Sequence, residues 1–553
     1  MASIPTEQVK DASLKHPKPN TTFTYGTAGF RLKGDLLDSV MYRMGLLAVL
    51  RSKKLNSKVI GAMVTASHNP DQDNGVKLVD PLGEMLEQSW ELHATHLANS
   101  ADVDVPSVLA SICTAESISW SAPAHVVVAR DTRSTGPKLV GAFLDGARAA
   151  GGDVTDYGVF TTPQLHYVVR ALNTKGTPEA YGVPTEEGYY KKIGDAFKRI
   201  MKFGKTKFPT IHVDGANGVG APKFKAFLPY LGDSVSFSAF NEDITDFSKL
   251  NNKCGADFVK VQQKQPENFP MTPGTYGVSL DGDADRVIFY FVKKDGTFRM
   301  LDGDTIAALL ASTVSQLSQL ASLTLPSGSP RVGVVQTAYA NGASTRYLRE
   351  TVRVPVSMVP TGVKHLHHEA EGFDVGIYFE ANGHGTVLFS EGFVKAVKER
   401  GGKTPEQLAA LEFLECLTDV INQAVGDAIS DMLAVLAVLA YKGWSFEQWG
   451  ELYTEVPNRQ EKVKVANRLA FKTTNAEQEL VEPVGSQDRI NAEVAKYKNG
   501  RSFVRPSGTE DIVRVYAEAD TRENCDKLAY TVAGIIFDHY GGVGDRPAHF
   551  VKN

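Results

Sequence analysis

Hydrophobic positions recur along this chain with two different periods, and the switches between them divide it. Short, largely β-branched apolar runs at 59–64, 126–129, 210–214, 277–280, 287–292, 332–335 and 375–379 read as strands. Between them Leu139, Ala142, Phe143 and Ala147, and later Ile193, Phe197, Ile200 and Met201, fall at helical spacing. Strand, polar turn and helix therefore follow one another as in an α/β layer. Further helices are expected over 305–320, capped by Asp304, and over the apolar stretch 432–441. From Ser445 the pattern changes: Ser445 to Gln448 matches a capping box, and 512–518 alternates as a strand with one buried face. The fold class is α/β, three strand-and-helix units followed by a smaller C-terminal α+β domain. The boundaries fall at 1–185, 186–300, 301–442 and 443–553, behind a polar tail over the first 20 residues.

Length agrees with that division, since 553 residues fill roughly three to five domains of about 100 to 200 residues each. Lys and Arg number 59 against 64 Asp and Glu, for a net charge of −5, and no long basic run occurs. Nucleic acid is therefore not an expected partner. The longest apolar run falls far short of the roughly 20 residues that cross a bilayer, and the amino terminus lacks the apolar core of a signal peptide. No membrane partner is expected, and the location expected is cytoplasmic. Cys113, Cys254, Cys416 and Cys525 lie far apart, which suggests neither a zinc site nor a disulfide framework.

Two polar stretches carry the candidate chemistry. Thr65-Ala66-Ser67-His68-Asn69-Pro70 follows the strand at 59–64 and leads into Asn74-Gly75. Proline and Asn-Gly both interrupt regular structure, so the Ser67 hydroxyl is expected to stand out on a loop as a nucleophile. Asp281-Gly282-Asp283-Ala284-Asp285-Arg286 follows the strand at 277–280. Carboxylates at alternate positions around a glycine can converge on one hard cation, and magnesium suits them because it takes few carboxylates and adds a phosphate oxygen. An EF-hand is excluded, because its sixth and twelfth positions are Arg286 and Val292. Together the stretches ask for one metal and one phosphoryl group: magnesium on Asp281, Asp283 and Asp285, bridging to a phosphate on Ser67. Arg286 or Lys77 would offset the remaining charge, and His68 and Lys77 are the nearby groups able to move a proton.

Other turns look suited to binding. Arg505-Pro506-Ser507-Gly508-Thr509 combines a guanidinium, two hydroxyls and glycine-exposed amides, a set matched to a phosphate dianion, and Arg514 follows in the next strand. Glu380, Asn382 and His384 fit hydrogen bonding to sugar hydroxyls. Thr361, Gly362 and Lys364, with Arg31 behind the Gly26 to Gly29 turn, complete the substrate-binding candidates. The glycine turn at 215–220 lacks both Gly-x-Gly-x-x-Gly and the Walker lysine, and reads as a tight strand-to-helix turn.

In this order, from residue 65 to residue 509, the four motifs resemble the phosphoserine, magnesium, sugar-binding and phosphate-binding loops of the α-D-phosphohexomutases. The resemblance includes Tyr25 to Arg31 and Lys77, ten positions after the serine. It implies four domains around a central active-site cleft, the first three sharing one topology, with magnesium as cofactor and a sugar 1,6-bisphosphate as intermediate and activator. Within the family, Thr-Ala-Ser-His-Asn-Pro with Glu-Ala-Asn-Gly-His-Gly is similar to the eukaryotic branch that acts on N-acetylglucosamine phosphates. Most relatives carry serine where Asn382 stands. The implied substrate is a hexosamine phosphate, its 6- and 1-phosphates interconverted through phospho-Ser67 for UDP-N-acetylglucosamine synthesis, with the unreactive phosphate held by Arg505 to Thr509 and a hinge near Gly443. The rival readings are a phosphoglucomutase or phosphomannomutase, a metal-dependent serine phosphatase, and a sugar-phosphate-binding regulator without turnover.

Overall fold

The computed structural model describes residues 6–399, 401–507 and 511–547. It divides into two compact units, Met1–Asp302 with Asn382–Val387 and Lys403–Glu447, and Gly303–Ala381 with Leu388–Gly402 and Gln448–Asn553.

The first unit holds two five-stranded sheets. One runs, edge to edge, Phe30–Lys33, Asp73–Val79, Val59–Val64, His125–Arg130 and Asp153–Val159. Its first three strands are antiparallel and its last three parallel. The other, Phe298–Leu301, Val287–Val292, Tyr276–Leu280, Ile211–Asp214 and Phe237–Phe240, repeats that pattern of directions. Helix Asp38–Lys54 is buried along nearly its whole length and crosses Gly136–Ala149 closely. Glycines allow that approach: a Cβ on Gly45 would stand 2.1 Å from the Phe143 carbonyl oxygen, and one on Gly146 would stand 1.9 Å from that of Tyr42. The apolar stretch near 432–441 is helix Ala428–Lys442, apolar on every side and buried almost throughout, as such a helix must be. With Pro405–Val420 it packs on Glu186–Met201.

In the second unit, Val356–Val359, Val332–Thr337 and Val375–Phe379 lie parallel. Asn458–Lys464, Ile512–Glu518 and Arg501–Pro506 form an antiparallel sheet, with helix Arg522–His539 on its apolar face. A small hairpin joins Lys472–Thr474 to Glu479–Glu482. Among the described residues, four larger mixed or antiparallel sheets and the hairpin, with flanking helices, make the α/β architecture.

The two five-stranded sheets correspond strand for strand, the four-stranded sheet repeats four of those five positions, and that correspondence positions the motifs. In each, a strand parallel to one neighbour (Val59–Val64, Tyr276–Leu280 or Val375–Phe379) turns through a polar loop into the strand on its other side. Those three loops carry Ser67, the three aspartates, and Glu380 to His384.

Three local expectations are corrected. The amino-terminal stretch is not simply a polar tail: Thr6–Lys15 is a helix anchored by fully buried Val9, whose carbonyl accepts the Tyr42 hydroxyl at 2.8 Å. Asp304 does not cap its helix, which begins at Gly303; its Oδ2 accepts the Asn341 N–H at 2.8 Å. Ser445 to Gln448 starts only the single turn Phe446–Trp449, where Glu447 accepts the Tyr276 hydroxyl at 2.7 Å and Phe446 stacks on the Tyr276 ring. Among the described residues no helix is long and apolar enough to cross a membrane.

Candidate active site

Ser67 sits in the left-handed region at φ +52°, a conformation that non-glycine residues adopt at a cost and hold only when their surroundings impose it. Those surroundings are visible. The Ser67 N–H donates to Thr65 Oγ1 at 3.0 Å, while its carbonyl accepts from Arg133 Nη2 and Asn251 Nδ2, each at 3.0 Å. The same two side chains also hold the Asn69 carbonyl, at 2.5 and 3.0 Å. Arg133 is fully buried and fixed by Asp131.

So clamped, the serine points inward, not out as a loop residue would. Ser67 is 1% exposed, and its Oγ donates to Asp281 Oδ2 at 2.7 Å, with Asp285 Oδ1 at 3.5 Å. Gly282 makes the approach possible, because a Cβ there would lie 2.6 Å from the Ser67 carbonyl oxygen. The glycine turn at 215–220 braces the acidic loop from behind, Val219 N–H donating to the Gly282 carbonyl at 3.1 Å.

Asp281, Asp283 and Asp285 are all buried, and each offers an oxygen within 4.8 Å of the others'. Asp281 Oδ1 accepts the N–H groups of Asp285 and Arg286. Asp283 Oδ2 accepts the hydroxyls of Thr162 at 2.6 Å and Thr65 at 3.2 Å, and its Oδ1 is buried with no partner among the described residues. Asp285 faces Lys77 Nζ and His384 Nδ1, each at 3.4 Å. Burial, then the charges of Asp285 and Asp283, push the Asp281 carboxyl well above the usual carboxylate range. Burial acts on Asp285 in the same sense, but His384 and Lys77 outweigh it and hold that carboxyl low. Three buried carboxyls with an orphaned oxygen ask for a compensating charge, and their all-oxygen donor set fits a hard divalent cation.

Cationic side chains surround this set. Lys77 is 8% exposed, and Arg286 Nε lies 3.9 Å from Asp281. Burial, then Arg286 and Arg31, push the His68 imidazole down to about 2, so it stays neutral and cannot donate a proton as an imidazolium. Arg31 itself is lowered by burial and by Arg286, and its Nε has no partner among the described residues. His384 joins the acidic cluster as well as the candidate sugar loop, where Asn382 Oδ1 accepts its N–H at 3.0 Å.

The remaining candidates lie in the second unit. Thr361 and Gly362 precede helix Val363–Ala370, which carries Lys364, and Glu380 follows strand Val375–Phe379. Arg505 and Arg514 face each other across two strands, and Arg505 Nε donates to the Tyr339 hydroxyl at 3.1 Å. The Ser507 N–H donates to the Ile512 carbonyl at 2.9 Å. Gly508 and Thr509 lie outside the described residues.

Sequence reasoning missed the groups that hold the Ser67 loop, Asp131, Arg133 and Asn251, and Thr162, which holds Asp283. Asp131 and Arg133 had a signal, a polar run at the end of a strand adjoining that of Ser67. Asn251 had none, since it reaches Ser67 from a loop of the second sheet. Asn251→Ala should lower kcat about tenfold by loosening the serine loop, with the melting shift on adding metal retained. An unchanged kcat would show that Arg133 suffices.

Comparison with known proteins agrees with this geometry. Residues 48–102 and 107–177 match phosphoglucomutase/phosphomannomutase alpha/beta/alpha domain I, and 451–535 match the C-terminal domain of that group. Residues 179–288 and 302–444 match domains II and III of phosphoacetylglucosamine mutase AMG1. The phosphoacetylglucosamine mutase of Sus scrofa is 52% identical over 540 residues, covering 97% of this chain and 98% of the relative. The chain belongs to the phosphoacetylglucosamine mutase family. Two solved structures of Aspergillus fumigatus N-acetylphosphoglucosamine mutase match it with TM-scores of 0.93. The one in complex with N-acetylglucosamine 6-phosphate and magnesium is 49% identical and covers 97% of this chain and 99% of that one. The other, a serine-to-alanine variant in complex with glucose 1,6-bisphosphate, is 48% identical with the same coverage. Within the mutase domains so matched, the three aspartates fall in domain II and Glu380 to His384 in domain III.

Proposed function

We propose that this chain interconverts N-acetylglucosamine 6-phosphate and N-acetylglucosamine 1-phosphate through phospho-Ser67 and a sugar 1,6-bisphosphate, serving UDP-N-acetylglucosamine synthesis in the cytoplasm. The observation that carries the reading is the Ser67 hydroxyl seated 2.7 Å from one of three buried, converging carboxyls, with Lys77 beside them. The complexes of the Aspergillus fumigatus relative with N-acetylglucosamine 6-phosphate and with glucose 1,6-bisphosphate support the substrate and the intermediate.

Asp281, Asp283 and Asp285 would hold magnesium, with a phosphate on Ser67 as its further ligand. Bound there, the ion supplies Lewis-acid neutralisation of phosphoryl charge. The rest is positioning and proton bookkeeping by the chain's own groups. The Oγ–phosphorus bond of phospho-Ser67 breaks as the free sugar hydroxyl forms its own bond to phosphorus, and the hydroxyl proton replaces the one that Lys77 gives to the departing Ser67 oxygen. Return transfer from the other phosphate, after the bisphosphate has turned over, regenerates phospho-Ser67. Arg31, Arg286 and Lys77 supply positive charge around the transferring group. With His68 neutral, we assign proton delivery to the departing Ser67 oxygen to Lys77, which meets the Asp285 carboxyl as Ser67 does. Neutral His68 is left to orient the sugar hydroxyl.

Incubation with N-acetylglucosamine 6-phosphate, magnesium and a trace of glucose 1,6-bisphosphate, followed by phosphorus NMR, tests the reading. Growth of the 1-phosphate signal without free phosphate is expected. Bulk release of phosphate would indicate a phosphatase, and faster turnover of glucose or mannose phosphates would move the substrate.

A further inference from the structure

A carboxylate of this chain already occupies Arg505, assigned to the unreactive phosphate, together with Thr361, a further substrate-binding candidate. Glu477 Oε2 accepts the Thr361 N–H at 2.9 Å and the Thr361 hydroxyl at 2.5 Å, while its Oε1 accepts from Arg505 Nη1 at 3.2 Å. Glu477 and Arg505 are 18% and 16% exposed, so this is no solvated surface pair. The carboxylate is delivered by an unusual turn: Asn475, Ala476 and Glu477 stand consecutively in the left-handed region, at φ 49°, 53° and 66°.

Beneath it the sheet is over-supplied with positive charge. Lys462 is in register with Arg514, and Arg514 with Arg505, so three cations lie side by side across three strands. Like charges directly opposed destabilise a sheet. Arg514 Nε is also buried with no partner among the described residues. One carboxylate leaves this row under-neutralised, and a phosphate dianion brings more charge and a third oxygen.

We propose that Glu477 is an internal occupant of the phosphate subsite, exchanging with the substrate's unreactive phosphate and setting its affinity and rate of departure. The inference rests on reading Arg505 and Thr361 as holders of that phosphate. Its consequence is kinetic. The bisphosphate must leave the subsite to present its other end, and Glu477 then takes up Arg505 and Thr361, sparing them burial without a partner. An internal competitor raises the apparent Kd by the inverse of the fraction of time it leaves the subsite free; one bound about nine times in ten weakens binding about tenfold.

The test uses the full chain with Glu477→Gln, the shorter carboxylate Glu477→Asp, and Arg505→Ala, each checked by its melting curve. The readouts are calorimetric Kd for inorganic phosphate and for N-acetylglucosamine 6-phosphate, and KM against kcat. Glu477→Gln should tighten both ligands about five- to tenfold, with KM and kcat falling together, and Glu477→Asp should shift them the same way by less. Arg505→Ala should weaken both. If Arg505→Ala weakens phosphate binding while both Glu477 variants leave it unchanged or weaken it, Glu477 is only a strut and the inference falls while the subsite reading stands. If Arg505→Ala leaves phosphate binding unchanged, the subsite reading itself falls. If Glu477→Gln fails to fold, Glu477→Asp decides by the same criterion.

Discussion

Ser67→Ala should lose at least about 10^4-fold in kcat, the scale seen when a covalent nucleophile is removed, while its Kd for N-acetylglucosamine 6-phosphate stays within about threefold. The hydroxyl is the only part of Ser67 that chemistry needs. Its loop is held through backbone groups, by Thr65, Arg133 and Asn251, and these contacts survive the change. Removing Oγ also deletes the 2.7 Å hydrogen bond to Asp281, a loss of about 1 kcal/mol that should leave the fold intact. Steady-state rates beside calorimetric binding separate the two effects. Residual activity above about one part in a hundred would mean that phosphate passes through another group.

Asp283→Asn should move activity and stability in opposite directions. Turnover should fall about 10^2- to 10^3-fold, as when a charge-stabilising group leaves a phosphoryl site, and the magnesium titration should weaken with it. The metal-free protein should instead melt about 2–4 °C higher, the scale of about 1 kcal/mol in a domain of this size. Asparagine keeps an oxygen for the Thr162 and Thr65 hydroxyls and removes a buried carboxyl that raises the Asp281 carboxyl. The same effect sets a pH dependence. Because burial, Asp285 and Asp283 raise the Asp281 carboxyl in the fold, the stability tied to its proton is complete below the usual carboxylate range. It is lost as the pH rises through the elevated value. Melting in chelator across that span should therefore flatten in Asp283→Asn, and an unaltered magnesium titration would remove Asp283 from the ligand set.

What was legible in the sequence was whatever a contiguous stretch could carry. Three aspartates at alternate positions around Gly282 read as an oxygen-donor loop, and Ser67 between strand and Asn-Pro reads as a candidate nucleophile in a turn. The direction of the Ser67 hydroxyl was not legible, because Asn251 and Gly282, from the second sheet, draw the serine inward. The kinship of the three sheets was legible only through the family resemblance. Their strands need only apolar, β-branched residues in the right directions, and their equivalent loops carry three different chemistries, so no recurring residues mark the repeat. The amino-terminal helix escaped notice because Val9 alone supplies its buried apolar anchor. Glu477 escaped because its partners, Thr361 and Arg505, lie 116 and 28 positions away.

The central claim is that phosphate travels through Ser67. Magnesium-loaded protein would be treated with glucose 1,6-bisphosphate carrying radioactive phosphorus, quenched and digested, and the label located by mass spectrometry before and after a chase with unlabelled N-acetylglucosamine 6-phosphate. The account predicts label on the peptide containing Ser67, leaving into sugar phosphate at least as fast as turnover. Label on another residue, or label on Ser67 that the chase does not remove at that rate, would contradict it.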